Sequence, residues 1–239
     1  MTFATKEFAI FISIIFLIWN LLPVNKRWII LFPANVYFCY RAGIQCLIFI
    51  LSVGVITYFM AMIVDKIASA KAKKVVIWLE VPIFTGMLVL VRTVFSGIVV
   101  PLGLSFYSLM CMSYCIDVYR GMYGYEKNIY KLITFVSYFP HVIQGPFNNY
   151  GVMKDTLFSP KAFDYNRCVH AMYRISFGLM KKIVLADRIS IIIEDVYAHP
   201  SGYYGLTVLF TAVMYSIQLY ADFSGYMDIA MGVSKLLGI

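Results

Sequence analysis

Long apolar runs are the feature that most restricts what this chain can fold into. Residues 42–64 contain no charged side chain, and as a helix they are long enough to cross a bilayer core of about 30 Å. Apolar residues make up 62% of the sequence and charged residues 13%, whereas soluble domains have about half and about a quarter. We therefore predict an all-α polytopic membrane protein with roughly six to eight membrane or re-entrant helices. A disordered chain, a nucleic-acid-binding module and a disulfide scaffold are excluded.

Basic residues give the chain a net charge of +8 and lie mainly between and at the ends of the apolar runs. That distribution is typical of cytoplasmic loops and headgroup contacts, and no basic tract is long enough to follow a nucleic acid. We therefore expect the lipid bilayer, and no nucleic acid, as a partner. The five cysteines have no metal-ligand spacing, so we expect them to pack in the core and expect no metal site.

The order of the runs predicts a topology. Residues 8–22 are an apolar run without a following small-x-small cleavage site, which indicates an uncleaved first span. Residues 28–40 are short for a span and contain Pro33, but if they cross, the basic clusters 26–27 and 66–74 lie on one side. That side would be the cytoplasm, which predicts a protein of the cytoplasmic membrane with an extracytoplasmic N-terminus. Further spans are predicted over residues 75–91, 101–118, 203–221 and from 225 onward.

Two segments break the apolar pattern. Residues 141–150 are too polar for a lipid-facing helix, so we expect them to line a cavity or re-enter the membrane. They include His141, a weak candidate for a general base because no Ser, Cys or carboxylate stands at a recognisable spacing from it. Residues 166–193 predict a long helix whose basic residues recur every seven positions, which places them on one face. That face lies either at the headgroup boundary or beside a funnel for an anionic donor. These residues are Arg167, Arg174, Lys181 and Arg188.

Polar residues inside predicted spans are candidates for a functional site. Tyr215, Gln218 and Asp222 share a helical face, and Ser224 with Gly225 marks a point where the helix would break or two helices would approach closely. These side chains either line a cavity or form interhelical hydrogen bonds. Near the end of the fifth span, spacing predicts a structural pair between Asp117 and Arg120.

Five segments resemble the membrane-bound O-acyltransferase (MBOAT) superfamily. They are residues 101–107 (PLGLSFY), 113–121 (SYCIDVYRG), 138–146 (YFPHVIQGP), 178–188 (GLMKKIVLADR) and, most specifically, 222–232 (DFSGYMDIAMG). They are most similar to the bacterial branch that contains the alginate O-acetylation membrane subunit, with the teichoic-acid D-alanylation subunit a more distant relative.

The resemblance implies one membrane domain, with residues 1–100 forming N-terminal spans and 101–239 the motif-bearing core. It implies acyl transfer, usually of acetyl, from a cytoplasmic thioester such as acetyl-CoA or an acyl carrier to an extracytoplasmic hydroxyl or a partner acetyltransferase, without a bound cofactor. The family's catalytic histidine follows the last motif, so we expect it beyond Ile239, in a missing C-terminal half. His141 stands where the family often has glutamine. Predicted cavity-lining residues are Tyr107, Gln144, Gln218, Asp222, Ser224 and Asp228.

Two functions of other classes remain open. A transporter or flippase of glycan or acyl groups would also carry polar residues in its spans, although no duplicated halves are visible. A non-catalytic membrane scaffold is the second alternative.

Overall fold

A computed structural model describes residues 5–93, 103–145, 149–199 and 202–239. Within these ranges the regular structure is helical throughout, which confirms the predicted all-α class. A 3₁₀ turn, Val24–Lys26, precedes the second helix, and a π-helical turn, Lys181–Ala186, joins the ninth to the tenth. The helices are α1 (Lys6–Leu21), α2 (Trp28–Ala42), α3 (Ile44–Lys66), α4 (Ala70–Thr93), α5 (Leu104–Tyr119), α6 (Ile129–Val136), α7 (Phe139–Gln144), α8 (Tyr150–Phe158), α9 (Tyr165–Met180), α10 (Asp187–Ala198) and α11 (Leu206–Leu237).

Most predicted runs correspond to one helix each. The short run at residues 28–40 is α2, and its single-residue connection to α3 is Gly43 at φ +137°, a conformation that favours glycine. The helix predicted over residues 166–193 is confirmed as α9, the π-helical turn and α10, although the π-helical turn departs from the regular spacing assumed in the prediction. Pro101, Leu102 and residues 146–148 of the sequence motifs lie outside the described residues.

The final helix differs from the prediction. Residues 203–221 and 225–237 were expected to be separate spans, but α11 is one helix of 32 residues that passes through Ser224 and Gly225 without a break. An interior glycine costs a helix only about 1 kcal/mol, which packing against a neighbour offsets. Of the described helices, α3 and α11 alone are long and apolar enough to cross a bilayer.

Two helix groups form the core. In the first, α5 packs against α3 and α4; in the second, α11 packs along α9, the π-helical turn and α10. The short helix α7 contacts both α5 and α11 and so links the groups. Buried Asn35 of α2 holds α7 in place beside α6. Its side-chain amide donates to the Thr134 carbonyl of α6 at 3.1 Å and accepts from the Phe139 N–H of α7 at 3.0 Å.

Trp19 connects the first helix to the last. Its side chain is buried, and its indole N–H donates to the Leu237 carbonyl at 2.9 Å. That carbonyl lies in the last turn of α11, where backbone acceptors have no partner within the helix.

Replacing Trp19 with phenylalanine is expected to lower the free energy of unfolding in detergent by about 1–3 kcal/mol, because it removes this bond and leaves a void. Thermal unfolding followed by circular dichroism measures the change. Trp78→Phe is the control, since Trp78 is 66% exposed. Equal melting temperatures for the two variants would show that Trp19 does not tie the helices together.

Candidate functional site

The most specific sequence motif lies where α11 crosses α9. Gly178 and Gly225 meet there: a Cβ built on Gly178 would lie 2.7 Å from the Gly225 carbonyl oxygen, and one built on Gly225 would lie 3.0 Å from the Gly178 carbonyl oxygen. The first distance is shorter than real Cβ atoms show, and the second is tighter than most real Cβ contacts, so a larger residue at either position requires movement of the neighbouring backbone. The predicted close approach of two helices at Gly225 is therefore confirmed, while the predicted helix break there is wrong.

The close contact continues one heptad further along both helices. Gly232 is seven residues after Gly225 and faces Ala171, which is seven residues before Gly178. A Cβ on Gly232 would lie 2.6 Å from the Ile175 Cγ1 and 3.1 Å from the Ala171 carbonyl oxygen. Small residues at this spacing form one face of a helix, so they let α9 and α11 pack at short backbone distance.

Ion pairs flank the glycine contact. Asp228 accepts from the Lys181 Nζ at 2.7 Å and from the Arg174 Nε at 3.1 Å. Asp222 accepts from the Lys182 Nζ at 2.5 Å. We call these five residues, together with Gly178 and Gly225, the α9–α11 clamp.

The clamp has three cations and two carboxylates, and Asp187, next to it, supplies the third carboxylate. Lys182 also donates to Asp187 at 2.8 Å, so the cations of Arg174, Lys181 and Lys182 face three carboxylates. Burial lowers the pKa of Lys182, but its hydrogen bonds to Asp187 and Asp222 outweigh this and raise the pKa above its usual range. Lys182 therefore stays protonated at any physiological pH.

Two of the four basic residues predicted to share a face, Arg174 and Lys181, are thus engaged by Asp228. A third, Arg167, donates to the Ala162 carbonyl. Lys182 has no signal in the sequence, because it stands next to the heptad position and its partner Asp222 is 40 residues away.

A second group of residues has buried side-chain polar atoms that lack a hydrogen-bond partner among the described residues. The Tyr107 hydroxyl and the Ser108 hydroxyl lie on α5, the His141 Nδ1 on α7, and the Ser224 hydroxyl on α11. Buried polar atoms are normally paired, so each exception needs an explanation, such as an absent ligand or water.

These atoms belong to helices that contact one another. The Phe106 and Phe223 rings stack with centroids 6.4 Å apart, and each ring is adjacent in sequence to one member of the group, Tyr107 or Ser224. The start of α5 abuts α7, since a Cβ on Gly103 would overlap the carbonyl of Val142. We call Tyr107, Ser108, His141 and Ser224 the unpartnered polar group.

The predicted cavity residues therefore separate into sets. Tyr107 and Ser224 are in the unpartnered polar group, whereas Asp222 and Asp228 are in the clamp. Gln218 is half-buried on α11. The side chain of Gln144, at the end of α7, lies outside the described residues.

His141 is 4% exposed, and its ring packs edge-on against Tyr138. Its burial places this part of the 141–150 segment inside protein, in agreement with the sequence pattern.

The predicted ion pair between Asp117 and Arg120 is wrong for the described structure. Asp117 is buried and accepts from the Tyr123 hydroxyl at 3.0 Å and from the Asn149 amide, whereas Arg120 is exposed. Neighbouring loops supply the partners because the Asp117 side chain points into the bundle.

Glu80 is a buried acidic residue that was not among the predicted site residues. It lies on α4, is 1% exposed, and its Oε1 has no partner among the described residues. An acidic residue within the apolar run of residues 75–91 was the signal available in the sequence.

Comparison with known proteins identifies relatives. No family model matches the chain. It is 33% identical over 145 residues to the probable alginate O-acetylase AlgI of Pseudomonas syringae pv. tomato, an alignment that covers 61% of this chain and 28% of that protein. The Pseudomonas aeruginosa protein of the same name is 34% identical over 145 residues, with 61% and 28% covered.

A more distant relative is the peptidoglycan O-acetyltransferase of Helicobacter pylori, which is 25% identical over 170 residues, with 59% of this chain and 32% of that protein covered. The chain thus spans less than a third of the length of the curated relatives it matches. These relatives confirm the resemblance drawn from the motifs: the chain is a homologue of proteins named alginate O-acetylase and peptidoglycan O-acetyltransferase over about three fifths of its length.

Proposed function

We propose that this chain forms part of a membrane-bound O-acyltransferase that transfers acetyl from a cytoplasmic thioester to hydroxyls of a cell-surface polysaccharide. The relatives' names support O-acetyl transfer. The two long apolar helices support a location in the membrane, for which we propose the cytoplasmic membrane and an extracytoplasmic N-terminus. The observation that supports a site for this activity within the chain is the unpartnered polar group.

Acetyl transfer needs hydrogen-bond donors at the reacting carbonyl. The acceptor oxygen attacks the thioester carbon and forms a new C–O bond, the C–S bond breaks, and the acceptor's proton goes to a base and then to the leaving thiolate. Negative charge develops on the carbonyl oxygen during attack, and fixed donors that meet it lower the barrier. The hydroxyls of Tyr107 and Ser224 are buried donors without an acceptor among the described residues, so they are available for this role or for holding the acceptor hydroxyl.

The base in this proposal is a histidine outside the 239 residues, as the family resemblance implies. Acetyl-CoA or an acyl carrier would be the donor, and an extracytoplasmic polysaccharide or a partner acetyltransferase the acceptor. The α9–α11 clamp would hold one wall of the site without contacting the reacting groups.

Removing the unpartnered hydroxyls tests the proposal. Tyr107→Phe and Ser224→Ala in the complete protein are expected to lower polysaccharide O-acetylation by about tenfold or more, the lower end of what loss of a transition-state donor costs. Neither change removes a hydrogen bond to the part of the chain that the structure describes, so stability is expected to stay equal or to rise. Acetate released from surface polysaccharide by mild alkali, divided by the amount of membrane protein, is the measurement.

Tyr138→Phe is the matched control. The Tyr138 hydroxyl donates to the Ser234 hydroxyl at 3.1 Å, so its removal is expected to cost about 1 kcal/mol of stability and to leave acetylation per protein unchanged. Normal acetylation by Tyr107→Phe and Ser224→Ala at normal protein levels would remove the unpartnered polar group from the active site.

The α9–α11 clamp favours a second function, that of a non-catalytic membrane scaffold. Both aspartates of the most specific motif have structural partners, so the motif needs no substrate to explain it. A scaffold predicts that acetylation in all three variants follows protein amount alone.

A further inference from the structure

An apolar groove runs between α1 and the α9–α11 pair. It has a volume of about 530 Å³, and its described lining contains no charged side chain. Representative lining residues are Phe8, Ile12 and Phe16 of α1, Cys168 and Met172 of α9, and Val233 of α11. We call it the α1–α9 groove.

The groove has the length of a lipid chain. On α9 its lining extends from Tyr165 to Leu179, which at 1.5 Å per residue is about 21 Å. One leaflet of hydrocarbon is about 15 Å thick, so an acyl chain entering at one end has room to lie along the whole groove.

Several cationic residues lie near one end of the groove. Phe163 lines that end and contacts the Phe16 ring. Close by, the Arg27 guanidinium donates to the Lys161 carbonyl at 3.4 Å, and the Lys161 N–H donates to the Gly238 carbonyl at 3.1 Å.

Arg167 also lies at this end, because a Cβ on Gly238 would be 3.1 Å from its Nη2. Its Nε–H is buried and has no acceptor among the described residues. Lys235 lies in the last turn of α11, three residues before Gly238.

The nearby acidic residue is Asp164, which caps α9 by accepting from the Asn166 N–H. Arg27 itself is buried, but among the described residues at this end three further cations, Lys161, Arg167 and Lys235, outnumber this carboxylate. We call these three residues the basic mouth.

We propose that the α1–α9 groove binds one acyl chain of an anionic phospholipid whose headgroup phosphate contacts the basic mouth. The apolar lining accommodates a hydrocarbon chain without burying a charge, and the excess of positive charge favours an anionic over a zwitterionic headgroup. The proposal needs a membrane location but does not depend on acetyl-transfer activity.

A second groove in the same chain provides a control. It lies between α1 and α2, has a volume of about 560 Å³ and is lined by Ile10, Ile14 and Ile18 with residues of α2. The charged residues lining it, Glu7 and Arg41, neutralise each other in a 2.7 Å ion pair. This groove therefore has no excess charge with which to select a headgroup.

Cys168 reports occupancy without an introduced label. It lines the α1–α9 groove and is partly exposed, whereas the other cysteines are buried. Alkylation of Cys168 by N-ethylmaleimide, followed by peptide mass spectrometry, is measured on the purified protein in detergent with added phosphatidylglycerol or phosphatidylcholine of the same chains.

Phosphatidylglycerol is expected to slow alkylation at concentrations at which phosphatidylcholine does not. Arg167→Gln is expected to raise the half-protecting concentration of phosphatidylglycerol about fivefold, the effect of one lost cation near an anionic headgroup. Equal protection by both lipids, or no effect of Arg167→Gln, would overturn the proposal.

Blocking the groove gives an independent test. Met172→Trp places an indole in the α1–α9 groove, and Ile14→Trp places one in the control groove; the replaced residues are 52% and 51% exposed, so both variants are expected to fold. Native mass spectrometry should show phosphatidylglycerol lost from Met172→Trp and retained by Ile14→Trp. Loss of phosphatidylglycerol from both variants would contradict lipid binding in the α1–α9 groove. Protection of Cys168 that depends on protein concentration and not on lipid would also contradict it and would indicate that a second copy of the chain covers the groove.

Discussion

Gly178→Ala is expected to separate α9 from α11 and to lower the free energy of unfolding by about 1–3 kcal/mol, the usual cost of overpacking a tight contact. The new Cβ would lie 2.7 Å from the Gly225 carbonyl oxygen and 3.0 Å from the Ile229 nitrogen. Both are backbone atoms, so no side-chain rotation relieves the contact. Helix propensity alone would make the alanine variant more stable by about 1 kcal/mol. A measured loss of stability would therefore come from the close contact between the helices.

The matched control is Gly86→Ala. Gly86 is also inside a helix, α4, and a Cβ built on it meets nothing within 4 Å, so this variant is expected to be as stable as the parent or more stable. Thermal unfolding in detergent compares the two. If Gly178→Ala were as stable as Gly86→Ala, α9 and α11 would not be in close backbone contact at Gly178 and Gly225.

Moving α9 away from α11 in Gly178→Ala also affects the ion pairs between these helices. Asp222 stands three residues before Gly225 and Asp228 three residues after it, and they pair with Lys182 and Lys181 at N–O distances of 2.5 and 2.7 Å. When the helices move apart these distances lengthen, so Gly178→Ala weakens both pairs in addition to its steric cost. In cells, acetylation is expected to fall in proportion to the amount of folded protein.

Much of the helix content could be predicted from the apolar runs, because a span needs only length and low charge. The α11 helix shows where this method fails. The sequence marks Ser224 and Gly225 as a possible break, but the helix continues because Gly178, 47 positions earlier, packs on Gly225. No local sequence pattern indicates that Gly178 of α9 packs against Gly225 of α11.

The arrangement of the candidate site residues could also be predicted only in part, because it depends on how distant helices pack. Spacing placed Arg174 and Lys181 on one face, but it did not identify Asp228 as their partner, since that pairing depends on the register between two helices. The Asp117 pair failed because an i, i+3 spacing assumes that both side chains lie on the helix surface, and Asp117 is buried. Tyr107 and Ser224 were identified as polar residues in spans, but their lack of partners is visible only once the helices are packed.

Asp228→Asn is expected to have the second large effect, a loss of about 1–3 kcal/mol of stability in detergent, because two cations then face each other without a carboxylate. The Asp228 side chain is 15% exposed and that of Lys181 is 18% exposed, so solvent screens this pair only in part. The control is Glu7→Gln, which breaks the 2.7 Å pair with Arg41 at the surface and is expected to cost no more than about 1 kcal/mol.

A second substitution separates the structural role of Asp228 from a role in the reaction. In Asp228→Asn with Lys181→Gln the unpaired lysine charge is removed, so stability is expected to recover most of its loss if the clamp is the only function of Asp228. O-acetylation per folded protein should then be normal. Recovery of stability without recovery of acetylation would instead place Asp228 in the active site, as its position in the sequence motif predicted. The ion pairs of the clamp would then position a reacting group and not only join two helices.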